Sequence, residues 1–250
     1  MRRLTWIGHA TVLIELDGVR LLTDPLLRNR VAHLRRVDPV NPGAVGAIDA
    51  VLISHVHYDH LDLPSLTRLG RSTRLVVPRG AGRLLRGQGF EDVSEIEPGE
   101  ELQIGQVTLR PTHAEHQASR GPLRTKAPSL GFVVAGSASV YFAGDTDLFE
   151  GMGALGPLDV ALLPIWGWGP SLGPGHLDPR RAAECAALLR TPVAVPIHWG
   201  TYFPLHARPG AFLTDPPEEF RRAAAELAPE TEVRVLSLGG TLTIPVRAAR

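Results

Sequence analysis

The 250-residue chain has a single cysteine, Cys185, so no disulfide can form within it and a reducing compartment is expected. Cys185 lies in an alanine-rich helical stretch and reads as a small core residue. Lysine is almost missing: Lys126 stands alone among 26 basic residues, a skew that reflects genome composition rather than function. Neither sign of charge is in excess, with 26 acidic residues against the 26 basic ones, and without a basic field no nucleic-acid partner is expected. No apolar run reaches the length of a membrane span, and Met1–Trp6 leads into strand-like sequence rather than a signal segment. A cytoplasmic setting without integral membrane association is the expectation. Oligomeric state leaves no mark that can be read.

What is present is a large apolar fraction, 44% of residues, enough for a sizeable core. No repeat or low-complexity linker divides the chain, so one domain over residues 1–250 is expected, built of layered α and β elements. Leu4–Ile7, Thr11–Leu16 and Val19–Thr23 read as strands, with a hairpin turn at Asp17-Gly18. Residues 25–47 read as a long Pro/Gly-rich connection carrying Arg28, Arg30, Arg35 and Arg36. Further strands are expected at Ala50–Ile53, Leu75–Val77, Val93–Ile96, Glu101–Ile104, Val107–Thr112, Leu130–Ala135, Val140–Ala143, Val160–Leu163, Val193–Ile197, Val233–Leu236 and Leu242–Ile244. Helices are expected at Leu63–Leu69 behind Asp62, at Ala81–Gln88, at Pro179–Leu189 behind Asp178, and at Pro217–Leu227.

The chemistry concentrates in Ser54-His-Val-His-Tyr-Asp-His60, which packs three imidazoles and a carboxylate into six positions after a buried-type strand. On an extended segment, residues two apart point the same way, so His55 and His57 can aim at one cation. Asp59 and His60, where the chain turns, can face a second. Imidazole nitrogen and carboxylate oxygen are the ligands zinc takes at catalytic sites. Three later strands also end on ligand-type residues: Val107–Thr112 before His113 and His116, Phe142 before Asp145, and Val195–Ile197 before His198. Any one of these alone is an ordinary loop residue; their repetition at strand ends points to a shared site.

The set His55-x-His57-x-Asp59-His60, His116, Asp145 and His198 resembles the metallo-β-lactamase fold superfamily. Thr5-Trp-Ile-Gly-His9-Ala-Thr11, Leu22-Thr-Asp24-Pro25 and Gly175-His-Leu-Asp-Pro179 resemble its branch holding N-acyl-phosphatidylethanolamine phospholipase D and L-ascorbate-6-phosphate lactonase. The resemblance implies an α/β fold, a four-layer αβ/βα sandwich with metals at one edge of the sheets. It also implies His55, His57 and His116 on one ion, Asp59, His60 and His198 on the other, and Asp145 between them. The branch usually has proline where this chain has His113, which stays an alternative to His116.

Such a site is expected to hold two divalent ions, zinc first, with manganese, iron or nickel open. Paired cations lower the pKa of a water and polarise the substrate, so no serine or cysteine nucleophile is required. Asp59 is read as ligand, orienter and proton carrier to the leaving group. His176 is read either as a hydrogen-bond donor to developing negative charge or as a structural histidine of the glycine-rich loop. His9 and Asp24 are read as orienting the ligating imidazoles. Trp166 and Trp168 suggest an apolar wall, and Arg120, Arg124 and Lys126 a fork for an anionic, small-molecule or lipid-like substrate. The function expected is a dinuclear hydrolase of a phosphodiester or a lactone/ester. The alternatives are a metal-binding sensor or scaffold with little turnover, and an RNA-processing nuclease.

Overall fold

A computed structural model of the chain describes residues 1–40, 43, 45–120, 125–156 and 158–245; Arg124 lies outside them. The N-terminal half starts with the meander β1 (Arg2–Gly8), β2 (Thr11–Leu16) and β3 (Val19–Thr23). A short excursion, β4 (Arg30–Val31) and β5 (Leu34–Arg36), leaves the sheet, and β6 (Ala50–Leu52) returns parallel to β3. Helix α1 (Leu63–Leu69) precedes β7 (Leu75–Pro78), and α2 (Gly82–Gly87) precedes β8 (Val93–Ile96).

The C-terminal half continues with β9 (Leu102–Ile104), β10 (Val107–His113), the small hairpin β11 (Ser119–Arg120) and β12 (Thr125–Lys126), then β13 (Leu130–Ala135), β14 (Ser139–Phe142) and β15 (Val160–Pro164). Helix α3 (Pro179–Leu189), β16 (Val193–Ile197), β17 (Tyr202–Pro204), α4 (Pro216–Leu227), β18 (Glu232–Val233) and β19 (Thr241–Thr243) follow. Two seven-stranded sheets result, in the orders β19-β1-β2-β3-β6-β7-β8 and β18-β16-β15-β14-β13-β10-β9.

The period-two alternation of each strand divides its side chains between two layers. From β15, Val160 and Leu162 face the core between the sheets, where they join Trp6, Ile14, Leu52, Phe132 and Phe142. Ala161 and Leu163 face the other way and pack with Ala182, Ala186 and Phe220 of α3 and α4. On the first sheet, Val51, Leu75 and Val77 meet Leu66 of α1 and Leu85 of α2. Helix, sheet, sheet, helix is the four-layer αβ/βα sandwich expected. Cys185 is buried under α3 as a core residue. Among the described residues no helix is long and apolar enough to cross a membrane.

Helix α3 has the expected bounds, with Asp178 accepting from the Arg181 amide at 2.8 Å. Three expectations need correction. Residues 25–47 are not all loop: β5 pairs with β17 across Arg36 and Tyr202, a contact over 166 positions that local pattern cannot show. The ladder of β6 stops at Leu52, so His55 and His57 sit on a loop and not on a strand. The Ser54 amide donates to Asp24 Oδ1 at 2.7 Å in place of a neighbouring strand, and that ends the ladder. The strand expected at Val233–Leu236 is only Glu232–Val233, paired with β16.

Truncating Phe132, fully buried between the sheets, should lower the unfolding free energy by about 3–5 kcal/mol. Leu188→Ala, on the exposed side of α3, should change it by less than about 0.5 kcal/mol. Urea unfolding of both variants checks this contrast.

Candidate metal centre

The strand ends converge as the motif spacing requires. His55 Nε2 lies 3.1 Å from His57 Nδ1, and His116 Nε2 lies 3.2 Å from the same atom. His60 Nε2 lies 3.1 Å from His198 Nε2. Asp145 stands between the two groups, its Oδ2 3.8 Å from His55 Nε2 and 3.2 Å from His60 Nε2, and its Oδ1 3.3 Å from His198 Nε2. Asp59 Oδ2 is 3.8 Å from His60 Nε2. His113 is exposed, paired with Glu115 at 3.3 Å, and takes no part; His116 occupies the centre.

Four of the five imidazoles are held from behind. His60 Nδ1 donates to Asp24 Oδ2 at 2.7 Å, and His198 Nδ1 to the Trp166 carbonyl at 2.7 Å. His116 Nδ1 donates to the Gly175 carbonyl at 2.9 Å. His55 Nδ1 lies 2.8 Å from Ser54 Oγ, which itself donates to Asp24 Oδ2 at 2.5 Å. These partners fix the tautomers, so the opposite nitrogens present lone pairs to one another at hydrogen-bond distance. Lone pairs and carboxylate oxygens gathered this closely are stable only around positive charge. Asp145 Oδ1 is buried and receives no hydrogen bond from the described residues. A buried acceptor without a donor is costly, and a divalent cation would satisfy it.

The electrostatics agree with this reading. Burial pushes His55 well below its ordinary range, and burial lowers His57 and His116 too, so these rings are neutral and fit to coordinate. Burial takes His198 down to about 3. His60 moves the other way: burial opposes its charge, but Asp145, Asp59 and Asp24 draw a proton to it. Burial would raise Asp59 and Asp145, yet neighbouring imidazoles hold both well below the usual carboxylate range, His60 and His9 foremost for Asp59 and His198 and His60 for Asp145. The carboxylates thus demand a positive partner, met by a proton on His60 or by bound cations.

Backbone strain is stored here. His9, Asp24 and His198 all have left-handed backbone, at φ 53°, 30° and 64°, costly for residues with a Cβ. The His198 amide donates to the His9 carbonyl at 2.9 Å and the His9 amide to Thr201 Oγ1 at 2.8 Å, so the strained corners lock each other.

The supporting residues differ in part from expectation. Asp24 Oδ2 accepts from His60 Nδ1. His9 orients a carboxylate instead of an imidazole: its Nε2 is 3.2 Å from Asp59 Oδ2. His176 does two things, with Nδ1 3.1 Å from the Gly173 and Pro174 carbonyls and Nε2 3.5 Å from Asp145 Oδ2. Ser54 was missed, although its place directly before His55 was the available signal.

A cleft of about 440 Å³ opens over the centre, with His57, Asp59, Asp145, His176 and His198 at its floor. Trp168 lines its wall beside Val31, Leu34 and Leu172. Trp166 does not line it; its ring donates to the Gly169 carbonyl at 2.9 Å, and its own carbonyl holds His198. Arg120 is absent from the cleft as well. Its Nη1 donates to the Leu61 and Val56 carbonyls at 2.6 and 3.3 Å, and its guanidinium lies 4.0 Å over the Tyr58 ring, so it braces the His55–His60 loop.

Residues 19–199 match the family model described as beta-lactamase superfamily domain, and the chain belongs to that family. A metal-dependent hydrolase of Methanopyrus kandleri is 35% identical over 245 residues, covering 95% of this chain and 97% of its own. The N-acyl-phosphatidylethanolamine-hydrolyzing phospholipase D 1 of Caenorhabditis elegans is 33% identical over 227 residues, or 79% of this chain and 64% of that one. A solved metallo hydrolase of Ignicoccus hospitalis superposes with a TM-score of 0.77 at 26% identity, over 98% of this chain and 99% of that one. Metal-dependent hydrolase is the class that fits both the family and the donor set.

Asp24→Asn keeps the shape of the side chain but offers an amide where His60 and Ser54 need an acceptor. It should weaken metal binding about 10–100-fold, read by competition with a chelator. His113→Ala should leave it unchanged.

Proposed function

We propose that this member of the beta-lactamase superfamily holds two divalent ions, zinc by its donor set, and hydrolyses a phosphodiester or a lactone/ester. The observation that carries the proposal is the place of Asp145, whose carboxylate lies within reach of nitrogens from both groups, His55 at 3.8 Å on one side and His60 and His198 at 3.2 and 3.3 Å on the other. A carboxylate so placed suits a bridge between neighbouring cations. His55, His57 and His116 would hold one ion, and Asp59, His60 and His198 the other. Neutral imidazoles with carboxylates are the ligands zinc favours; manganese, iron or nickel would fit the same donors less selectively.

Bound there, the ions would supply Lewis acidity and an acidified water. The chain's residues do the rest. Asp59 reaches the cleft floor with Oδ2 fixed by His9, so it can orient the attacking water and carry its proton to the leaving group. His176, tied to its loop through Nδ1, turns Nε2 to the floor beside Asp145, where a donated hydrogen bond would meet charge developing on the substrate oxygen. The tight packing behind His55, His60 and His198 keeps these groups in place without reorganisation.

Plasma emission analysis should find about two metal equivalents per chain. The loaded protein should hydrolyse bis-p-nitrophenyl phosphate or a member of a lactone panel, lose activity to a chelator and regain it with zinc. Asp145→Asn should lower kcat/KM by about 100-fold or more, the order of loss when an electrostatic catalytic group is removed. Full metal content without turnover on either substrate class would move the assignment to a metal-binding sensor.

A further inference from the structure

The cleft is unlike the anion fork that the arginine tracts suggest. Among the described residues no lysine or arginine lines it; its carboxylates are Asp59 and Asp145, with His176 drawn toward a proton beside Asp145. Four of the arginines in the flanking tracts are engaged elsewhere. Arg28 forks onto Asp62 at 2.5 and 2.9 Å, where Asp62 also caps α1. Arg35 lies 4.4 Å over the Phe203 ring, and Arg36 donates to the Ile7 and Asp38 carbonyls. Arg120 is spent on the Leu61 and Val56 carbonyls.

The wall is apolar and built in advance. It joins segments far apart in sequence, the β4–β5 hairpin with Val31 and Leu34, and the 167–173 loop with Trp168 and Leu172. The hairpin is fixed by its pairing with β17, by the Leu205 amide donating to the His33 carbonyl at 2.8 Å, and by the Tyr202 hydroxyl donating to the Arg28 carbonyl at 2.5 Å. Trp168 packs on the cluster of Leu26, Val31, Leu34 and Tyr202 and stands edge-on to His33 at 4.9 Å. The Trp166 carbonyl ties the same loop to His198 at the floor.

We propose that the cleft selects its substrate by an uncharged, apolar arm, received by Val31, Leu34, Trp168 and Leu172 while the reacting group meets the floor. This rests on the hydrolase reading for the reacting group alone. Burying such an arm against the wall removes apolar surface from water on both sides. An anionic arm would be desolvated beside two carboxylates, with no lysine or arginine among the described lining residues to receive it. Negative charge on the substrate is thereby confined to the group that meets the metal centre.

The test is calorimetric titration of the zinc-loaded chain with aceto-, hexano- and octanohydroxamate, whose shared headgroup binds metal, and with an octanohydroxamate bearing a terminal carboxylate. Affinity should rise about fourfold per added methylene, from about 0.8 kcal/mol per buried CH₂, until the wall is filled. The terminal carboxylate should cost about tenfold or more. Leu172→Arg, at a half-buried loop position, should flatten the alkyl series and favour the carboxylate; Leu172→Ser should reduce the slope without adding charge. A flat alkyl series, or tighter binding of the carboxylate to the unaltered chain, overturns the apolar subsite and leaves the metal reading standing, because acetohydroxamate still binds. No binding of any hydroxamate to the zinc-loaded chain overturns both. A steep alkyl series in a protein that turns over no substrate supports the subsite and removes the hydrolase reading.

Discussion

One buried carboxylate organises the edge where the strands converge. Asp24, fully buried at the end of β3, accepts from the Ser54 amide, the Ser54 hydroxyl and His60 Nδ1. Its own amide donates to the Leu52 carbonyl at 2.9 Å, and its carbonyl accepts from Thr11 Oγ1 at 2.8 Å. One residue therefore closes the β3–β6 pairing, ends the β6 ladder and aims two ring systems, His60 directly and His55 through Ser54. A carboxylate accepting several hydrogen bonds in a dry site is expensive to disturb, since removing any partner leaves a buried group unmet. That is why the loop carrying His55 to His60 can be irregular in backbone and still hold its side chains to one geometry.

The loop is braced at both ends and from the side. Asp62, which caps α1 through the Ser65 amide at 3.0 Å and is gripped by Arg28, anchors its exit. Arg120, from the β11 strand, reaches the Val56 and Leu61 carbonyls. Across the cleft, the left-handed corners at His9 and His198 hold each other through backbone bonds. Strained conformations persist where surrounding structure over-determines them. Here the sheets beneath supply that rigidity, because β1, β2, β15 and β16 are fixed by the shared core between the layers.

Much of this was legible in the sequence because the relevant signals are local. The spacing of His55, His57, Asp59 and His60, and strands ending on His116, Asp145 and His198, identify a common edge. Asp178 with Pro179 fixes the start of α3 within the residue. What escaped depends on contacts across the chain. The pairing of β5 with β17 turns a Pro/Gly-rich connection into a wall of the cleft, and nothing near residues 30–36 announces it. The partners of Arg28, Arg36 and Arg120 include a capping carboxylate and carbonyls remote in sequence, so Arg120, read as part of an anion fork, is a brace of the His55–His60 loop instead. Ring nitrogens were assignable in type but not in tautomer, because the carbonyls of Trp166 and Gly175 that fix His198 and His116 belong to a loop of no regular pattern.

The same displacement of the arginines bears on the charge of the centre. Asp24, Asp59 and Asp145 bring three carboxylates into one region, and no described lysine or arginine pairs with any of them. Most of the imidazoles beside them are driven neutral by burial, while His60 is drawn toward charge by Asp145 and Asp59, and His176 by Asp145. Protons on these two rings would offset only part of the charge of three carboxylates, whereas divalent cations would offset it in full. Uncompensated charge in a dry site costs several kcal/mol per ion after relaxation. Metal binding would therefore be coupled to the integrity of the fold edge itself, and no described lysine or arginine brings positive charge to the cleft above.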